Sequence, residues 1–197
     1  MILSPRHLIL VRHGESTWNA EERLQGQLDP PLSVRGREQA RALTAIVNGL
    51  PNERVICSDL ARARETAELL GLRPARFDPR WREIDVGSWA GRTAAEIDAQ
   101  GDELTNWRGG PRRAPDGESW EAFHARVAGA IDELAAEGGP WVVVCHGGCI
   151  RAGTSHLTGA DHLRLGSPPN ASTTVFEGGR LLIYGALPDG GLPTGLY

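Results

Sequence analysis

The sequence contains no lysine, so all 21 of its basic residues are arginines. A P-loop uses a lysine to reach the terminal phosphates of a nucleotide, and a Schiff-base enzyme uses a lysine amine as its nucleophile. Both classes of enzyme are therefore excluded. Any anion that this chain holds must be bound by arginine, histidine and backbone amides, which favours bidentate recognition of phosphate or carboxylate groups.

Cysteine, excess charge and long apolar runs are also scarce. Three cysteines cannot all pair within one chain, and two of them lie in apolar runs where reduced, buried thiols are typical. A formal net charge of −4 argues against a general nucleic-acid binder. No run approaches the length of a transmembrane helix, and the first residues lack the pattern of a secretion signal. We expect a cytoplasmic protein with neither a nucleic-acid nor a membrane partner.

Strand and helix patterns alternate along the 197 residues, a length suited to one α/β domain covering residues 1–197. Buried strands are indicated by apolar runs at 8–11, 55–57 and 141–145. Helices are predicted by cap residues and helical spacing at 34–47, 60–70, 93–100, 120–134 and 149–157. This alternation predicts a three-layer α/β/α sandwich built around a mostly parallel sheet.

Caps and irregular segments complete this prediction. The predicted helix caps are Ser33, Asp59 and Ser119. A polar stretch at 16–31 is expected to form a long loop over the mouth of a site. Near the end of the chain, short strands at 173–176 and 181–184 are expected to form a hairpin, followed by a loose tail from Gly185.

Two of the predicted strands end in similar motifs, Arg12-His13-Gly14 and His146-Gly147-Gly148. In a parallel sheet both motifs would emerge at the same edge, where open α/β sheets bind ligands, and Gly14 would permit a tight bend. Arg62 follows a third strand, in the first turn of a helix whose N-terminal amides favour an anion. Two like charges about 4 Å apart repel by on the order of 4 kcal/mol at an effective dielectric near 20. Two histidines and two arginines therefore converge stably only around an anion, and a phosphoryl group suits such a site.

Taken in order, these motifs resemble the signature of the histidine phosphatase superfamily, which has the phosphoglycerate-mutase-like fold. The matching segments are Arg12-His13-Gly14-Glu15, Asn19, Gln25-Gly26, Leu32-Ser33 with Gly36 and Gln39-Ala40, Ser58-Asp59-Leu60 with Arg62-Ala63 and Thr66-Ala67, Glu83 with Gly87, Trp89 and Gly91, His146-Gly147-Gly148 and Asn170-Ala171-Ser172. A single Arg-His-Gly is a weak signal, whereas this ordered set is specific.

The resemblance implies a phosphatase with five catalytic residues. His13 would take the phosphoryl group on one ring nitrogen while the other donates to a backbone carbonyl. Arg12, Arg62 and a protonated His146 would stabilise charge on the transferring oxygens. Glu83 would protonate the leaving alcohol and then deprotonate the attacking water. The implied substrate-binding residues are Ser16, Asn19, Gln25, Gly26 and the backbone of Gly147. No metal and no cofactor are implied.

Several positions leave alternatives open. Asp85 could replace Glu83 as the acid, and Arg64 could replace Arg62. The tryptophans that either line the mouth of the site or belong to the core are Trp18, Trp89, Trp107 and Trp120. The arginines that either bind an anionic substrate or are solvated surface are Arg92, Arg108, Arg112 and Arg113.

Three other kinds of protein would use some of the residues in this sequence. Cys145 and Arg151 have the spacing of a cysteine-phosphatase loop, although flanking residues depart from that pattern and an apolar strand should bury an inert thiol. A metal hydrolase would use the two motif histidines and Glu83 as ligands, but two arginines would then lie beside a divalent cation. A non-catalytic phosphate-binding domain would not turn substrate over, yet all five catalytic positions are filled.

The same five residues would serve a phosphatase or a cofactor-dependent phosphoglycerate mutase. Mutases of the resembled family carry a longer insertion between the glutamate and the second histidine, with additional basic residues, whereas the segment 91–145 is short here. This favours a phosphatase that acts on small phosphorylated metabolites, such as sugar phosphates, phosphoglycerates or a nucleoside phosphate of cobalamin synthesis. A homodimer is compatible with the sequence but is not indicated by it.

Overall fold

Two neighbouring strands at the centre of the sheet carry the paired histidine motifs. In the computed structural model, which describes residues 6–47, 54–99, 114 and 116–188, β1 (His7–Arg12) pairs in parallel with β4 (Trp141–Cys145). Arg12 is the register partner of Cys145, so the next residues, His13 and His146, leave the sheet side by side. The predicted meeting of the two motifs at one edge is confirmed.

Four more strands extend this pair into a six-stranded sheet with the order β3-β2-β4-β1-β5-β6 among the described residues. The added strands are β2 (Val55–Cys57), β3 (Arg76–Phe77), β5 (Thr173–Glu177) and β6 (Arg180–Ala186). Strands β3, β2, β4 and β1 are parallel, while β5 is antiparallel to both β1 and β6. The mostly parallel sheet is therefore confirmed.

Strand β6 extends slightly past Gly185, about where the loose tail is predicted to begin. Ala186 pairs with Thr173, and the Gly185 N–H donates to Thr174 Oγ1 at 3.0 Å, so both residues belong to β6. The hairpin is longer than its apolar residues indicate because the ladder continues past a register shift between β5 and β6. The rest of the tail, from residue 189, lies outside the described residues.

Helices cover both faces of the sheet. They are α1 (Thr17–Ala20), α2 (Val34–Val47), α3 (Ala61–Leu69), α4 (Ala94–Asp98), α5 (Trp120–Glu137) and α6 (Gly147–Thr158). Side chains of β1 alternate between the faces, so Ile9 and Val11 contact α2 and α3, whereas Leu8 and Leu10 contact α5 and α6. The three-layer α/β/α sandwich is confirmed. Among the described helices, none is long and apolar enough to cross a membrane.

Two of the three predicted helix caps are present in the structure, and the third is not. The hydroxyls of Ser33 and Ser119 accept N–H groups at the starts of α2 and α5, as predicted. The prediction that Asp59 caps α3 is wrong, because its carboxylate pairs instead with Arg82 at 2.7 Å. Asp29 supplies the missing acceptor, with its Oδ2 2.6 Å from the N–H of Ala61. One of the backbone N–H groups expected to face an anion at the start of α3 therefore donates to the carboxylate of Asp29 instead.

Two helices differ in extent from the predictions. Helix α6 begins at Gly147, two residues earlier than predicted, and His146 is its N-cap. The predicted loop at 16–31 contains the short helix α1, which starts in a capping box between Ser16 and Asn19. Both differences move backbone N–H groups and polar side chains into fixed positions beside the histidine motifs.

Gly14 allows a close approach between two segments rather than the tight bend that was predicted. Its φ does not lie in the left-handed region, but a Cβ placed on it would lie 2.3 Å from the carbonyl oxygen of Gly36. A Cβ on Gly36 would in turn lie 1.9 Å from the carbonyl oxygen of Glu15. The end of β1 and the first turn of α2 therefore touch through backbone atoms.

Candidate active site

A cavity of about 200 Å³ opens at the carboxyl edge of the central strands. Four of the five predicted catalytic residues, Arg12, His13, Arg62 and Glu83, line it. The fifth, His146, is fully buried and places its ring 5.1 Å from that of His13, edge to face. The structure thus brings all five residues together, from four separate segments of the chain.

His13 is held as a neutral imidazole. It is 2% exposed, and its Nδ1 lies 2.6 Å from the carbonyl oxygen of Gly14, as predicted for the nitrogen that fixes the tautomer. Burial, followed by the positive charges of Arg62 and Arg12, lowers the pKa of His13 well below its usual value. Because Nδ1 carries the proton in this arrangement, Nε2 keeps its lone pair and can attack an electrophile.

The surroundings of His146 favour its neutral ring, and the protonated ring expected beside a phosphoryl group stays a prediction from the sequence. Burial, then Arg62, His13 and Arg12, lower the pKa of His146 well below its usual value. Its Nε2 lies 2.9 Å from Ser58 Oγ, and its buried Nδ1 has no protein partner among the described residues. A neutral ring that accepts the Ser58 hydroxyl proton at Nε2 carries its own proton at Nδ1 and can donate it to an anion.

Both arginines are anchored by backbone carbonyls. Arg62, which is 1% exposed, donates to the carbonyls of Leu28 and Gly26, each at 2.8 Å. Its buried Nε has no protein partner among the described residues, and burial lowers its pKa to about 10. Arg12 donates to the carbonyl of Pro168 and to Ser167 Oγ at 3.3 Å. The guanidinium groups are therefore held in fixed orientations at the cavity wall.

Glu83 reaches the cavity from the loop between β3 and α4, and backbone amides orient its carboxylate. Oε2 accepts the N–H of Gly148 at 3.0 Å, and Oε1 accepts the N–H of Ile84 at 2.9 Å. Gly148 leaves little clearance, because a Cβ on it would lie 2.0 Å from Glu83 Oε1. The early start of α6 at Gly147 thus places the carboxylate against the helix N-terminus.

The predicted substrate-binding residues fall into two groups. Asn19, Gln25, Gly26 and Gly147 line the cavity. Ser16 does not line it; its buried hydroxyl accepts the N–H of Asn19 at 3.0 Å and donates to Gln25 Oε1 at 2.9 Å. In the structure Ser16 orients two cavity residues, and direct contact of Ser16 with a substrate stays a prediction from the sequence.

A model of the histidine phosphatase superfamily (branch 1) matches residues 8–180. The chain belongs to this superfamily. The resemblance read from the sequence motifs is thereby confirmed, as is the phosphoglycerate-mutase-like fold class.

Relatives of this histidine phosphatase carry two kinds of name. A glucosyl-3-phosphoglycerate phosphatase of Mycolicibacterium vanbaalenii is 40% identical over 169 residues, which cover 78% of this chain and 75% of the relative. A probable phosphoglycerate mutase GpmB of Enterobacter sp. (strain 638) is 38% identical over 155 residues, covering 72% of this chain and 71% of the relative. Among solved structures, a mycobacterial glucosyl-3-phosphoglycerate phosphatase in complex with VO3 matches with a TM-score of 0.76 and 38% identity. That match covers 86% of this chain and 92% of the solved one. The prediction of a phosphomonoesterase is confirmed at the level of the family and its phosphatase members.

The geometry of this histidine phosphatase decides between the alternative residues. Arg64 is exposed and lies over the ring of Phe77 at 5.1 Å, and Arg62, not Arg64, lines the cavity. Asp85 does not line the cavity, and its Oδ1 accepts the N–H of Gly87 at 2.9 Å. Glu83 is accordingly the carboxylate that faces the site.

The tryptophans and the peripheral arginines were left open by the sequence. Trp120 lines the cavity, whereas Trp89 is 3% exposed and belongs to an apolar cluster, and Trp18 packs near Gly91. Arg92 does not line the cavity. The remaining candidates, Trp107, Arg108, Arg112 and Arg113, lie outside the described residues.

The cysteine-phosphatase alternative has no support in the structure. Cys145 is fully buried in β4, does not line the cavity, and burial raises its pKa well above the usual value, so the thiolate is strongly disfavoured. For a metal hydrolase, no group of three or more His, Cys, Asp or Glu side chains within the described part of the chain is arranged to hold a metal ion.

Sequence reasoning missed several residues at the site. Ser58 follows a buried strand, as His13 and His146 do, and that position is the signal that could have identified it as a partner of His146. The cavity is also lined by residues whose involvement no local motif indicated: Arg23, Leu24, Val86, Phe123 and Ser167.

Proposed function

We propose that this chain hydrolyses small phosphomonoesters through a phosphohistidine intermediate on His13, with Glu83 as proton donor and acceptor. The observation that carries the proposal is the state of His13. Its Nδ1 is committed to the Gly14 carbonyl, its Nε2 is available, and the ring lines the cavity together with Arg12 and Arg62. A neutral imidazole near permanent cations is suited to attack a phosphoryl dianion.

In the first half-reaction, His13 Nε2 forms a bond to phosphorus and the bond from phosphorus to the ester oxygen breaks. Glu83, in its protonated form, gives its proton to that oxygen, and a neutral alcohol leaves. The negative charge stays on the three phosphoryl oxygens. In this proposal Arg12, Arg62 and the Nδ1–H of His146 stabilise these oxygens, and each such donor typically contributes about 100- to 1,000-fold in rate.

In the second half-reaction, the Glu83 carboxylate takes a proton from water as the water oxygen attacks phosphorus. The bond from phosphorus to Nε2 breaks, the electron pair returns to the ring, and inorganic phosphate leaves. Glu83 ends protonated and His13 neutral, so the cycle closes without an external reductant, oxidant or metal. We propose that the reaction needs neither a metal nor a cofactor, and turnover that persists in excess chelator tests this point.

The proposed intermediate is tested by trapping. Enzyme quenched in base during turnover of a 32P-labelled phosphomonoester should carry label that is stable in alkali and lost in acid. His13→Ala should lose both the label and turnover. His124→Ala, which replaces a half-buried histidine that does not line the cavity, should keep both. Turnover with no label on His13 at any time would overturn the proposal.

A mutase is the second candidate, because some relatives are named as probable phosphoglycerate mutases. The two activities differ in whether the phosphohistidine meets water or a second hydroxyl. The panel for deciding between them contains sugar phosphates, 3-phosphoglycerate and glucosyl-3-phosphoglycerate, with mutase activity assayed in parallel. We expect hydrolysis to exceed transfer, and mutase turnover far above hydrolysis would overturn this choice.

The part of the substrate beyond its phosphate would lie against a cavity wall that is partly apolar and partly basic. Apolar side chains of Ile84, Val86 and Phe123 line one part of the cavity, and Arg23 and Arg151 line another. This combination favours a small ester that has both carbon–hydrogen surface and polar or anionic groups. The cytoplasmic location, the single domain, the absence of nucleic-acid and membrane partners and the compatibility with a homodimer stay predictions from the sequence.

A further inference from the structure

The loop that carries Glu83 is held by an arginine that the proposed mechanism does not use. Arg126 lies on α5, and its side chain is 19% exposed. Its Nη1 donates to the carbonyls of Arg80 and Arg82, each at 2.8 Å. Its Nη2 donates to the carbonyl of Glu83 at 2.9 Å. One guanidinium therefore binds three carbonyls within a segment of four residues.

A thiol from α6 completes the set of contacts. Cys149, on α6, is buried, and its Sγ lies 3.3 Å from the carbonyl oxygen of Trp81 and 3.2 Å from that of Arg82. Each carbonyl of residues 80–83 thus accepts a hydrogen bond from α5 or α6. The backbone before Glu83 cannot rotate without breaking several hydrogen bonds at once.

Glu118 connects Arg126 to the other side of the loop. The carboxylate of Glu118 accepts from Arg126 Nε at 2.6 Å and Nη2 at 2.8 Å. Glu118 Oε2 also accepts the N–H of Asp85 at 3.2 Å. Although burial lowers the pKa of Arg126, the hydrogen bonds to Glu118 raise it above the usual value overall, so the guanidinium stays charged.

We infer that Arg126, with Glu118 as its partner, is a positioning residue that holds Glu83 where it can deliver its proton. The inference rests on the proton-donor role proposed for Glu83. The carboxylate of Glu83 accepts the N–H of Gly148 at 3.0 Å and lies so close to the start of α6 that a Cβ on Gly148 would be 2.0 Å from Oε1. A displacement of about 1 Å caused by a mutation away from the chemistry can lower a rate about 100-fold.

The test uses the leaving group as a probe of proton delivery. Aryl phosphates release a stable oxyanion and need little protonation, whereas alkyl phosphates need a donor. Arg126→Lys keeps the positive charge but cannot bind three carbonyls with a planar fork. We expect it to lower kcat for an alkyl phosphate by about 10- to 100-fold while the loss for an aryl phosphate stays within about threefold. Equal losses for both substrates would indicate a merely structural role and overturn the inference.

A double-mutant cycle supplies the second readout. In a Glu83→Gln background the proton donor is absent, so adding Arg126→Lys should cause no further loss with the alkyl phosphate. Losses that multiply in the double variant would overturn the inference. Arg126→Met is measured alongside, and if it fails to fold, the soluble Arg126→Lys protein still decides the outcome.

Arg76→Met is the matched control. Arg76 also joins a strand to α5, through an ion pair with Glu133 at 2.7 Å, but it makes none of the described contacts with the loop carbonyls of 80–83. It should leave the ratio of alkyl to aryl rates unchanged. If Glu83→Gln shows no leaving-group dependence, the proposed function fails. If Glu83→Gln shows that dependence and Arg126→Lys does not, only this inference fails.

Discussion

The imidazole of His146 shows how a donor can work without a positive charge of its own. Burial strongly destabilises a protonated ring at this position, and the two arginines and the second histidine add to that effect. Ser58 Oγ lies 2.9 Å from Nε2, and we assign its hydroxyl as the donor, which leaves the ring proton on Nδ1. A phosphoryl oxygen can therefore be bound by a neutral donor, so the site does not need a third cation.

Ser58→Ala tests this assignment. The substitution removes the group that selects the Nδ1–H tautomer, so the ring would spend part of its time with its proton on the wrong nitrogen. We expect kcat to fall by about 10-fold or more, but by less than the about 100- to 1,000-fold that follows loss of a whole donor. Steady-state kinetics on an aryl phosphate measure the effect. Thr154→Ala is the control, because Thr154 is also buried but bonds only within α6. Unchanged kcat in Ser58→Ala would contradict the assignment.

Two glycines determine how the elements that carry the site meet. Gly14 follows the end of β1, and Gly36 lies in the first turn of α2. Their backbones are in direct contact, so neither position has space for a Cβ. This contact places α2 against the turn that presents His13, and it explains why small residues are needed on both sides of the interface.

Gly36→Ala should destabilise the fold and lower activity together. A Cβ at this position would meet the Glu15 carbonyl at 1.9 Å, so one of the two segments must move. Overpacking of this kind typically costs about 1–3 kcal/mol of unfolding free energy. Urea unfolding followed by circular dichroism measures it, with kcat determined on the same samples.

Gly129→Ala is the matched control for this prediction. Gly129 lies within α5, and a Cβ there would have no heavy atom within 4 Å. The alanine variant should be more stable than the parent by about 0.5–1 kcal/mol, because alanine is the better helix former. Gly36→Ala as stable as Gly129→Ala would show that the backbone contact is not as close as described.

At the scale of the whole molecule, the strands and helix caps that short stretches of sequence specify could be predicted. Continuous apolar runs marked the two central strands, and the residues directly after them, His13 and His146, are the ones that the parallel register brings together. Ser33 and Ser119 were recognisable as caps because a hydroxyl before a helical repeat needs no distant partner.

The parts that depend on partners far along the chain were not predictable. Asp59 looks like a cap, but its ion pair with Arg82 joins residues 23 positions apart. Arg126 contacts a loop more than 40 positions earlier, and its only sequence signal is an arginine beside an apolar helix stripe. Such pairings arise from the tertiary fold, so neither periodicity nor capping patterns can reveal them.

Burial of two neutral histidines makes the stability of the whole fold depend on pH. In the unfolded chain each histidine binds a proton below about pH 6.5, whereas the lowered pKa of His13 and His146 keeps both neutral in the folded chain. The unfolded state therefore binds more protons below about pH 6.5, and stability falls as the pH falls. The slope contributed by each histidine is at most about 1.4 kcal/mol per pH unit, and above about pH 7.5 the two contribute almost none.

Urea unfolding between pH 7.5 and pH 5.5 measures this slope. His146→Gln removes one of the two histidines. The variant should therefore lose about half of the pH dependence that the pair contributes. Equal slopes in the variant and the parent would mean that His146 is charged in the folded state, and the neutral donor argued for it would then be wrong.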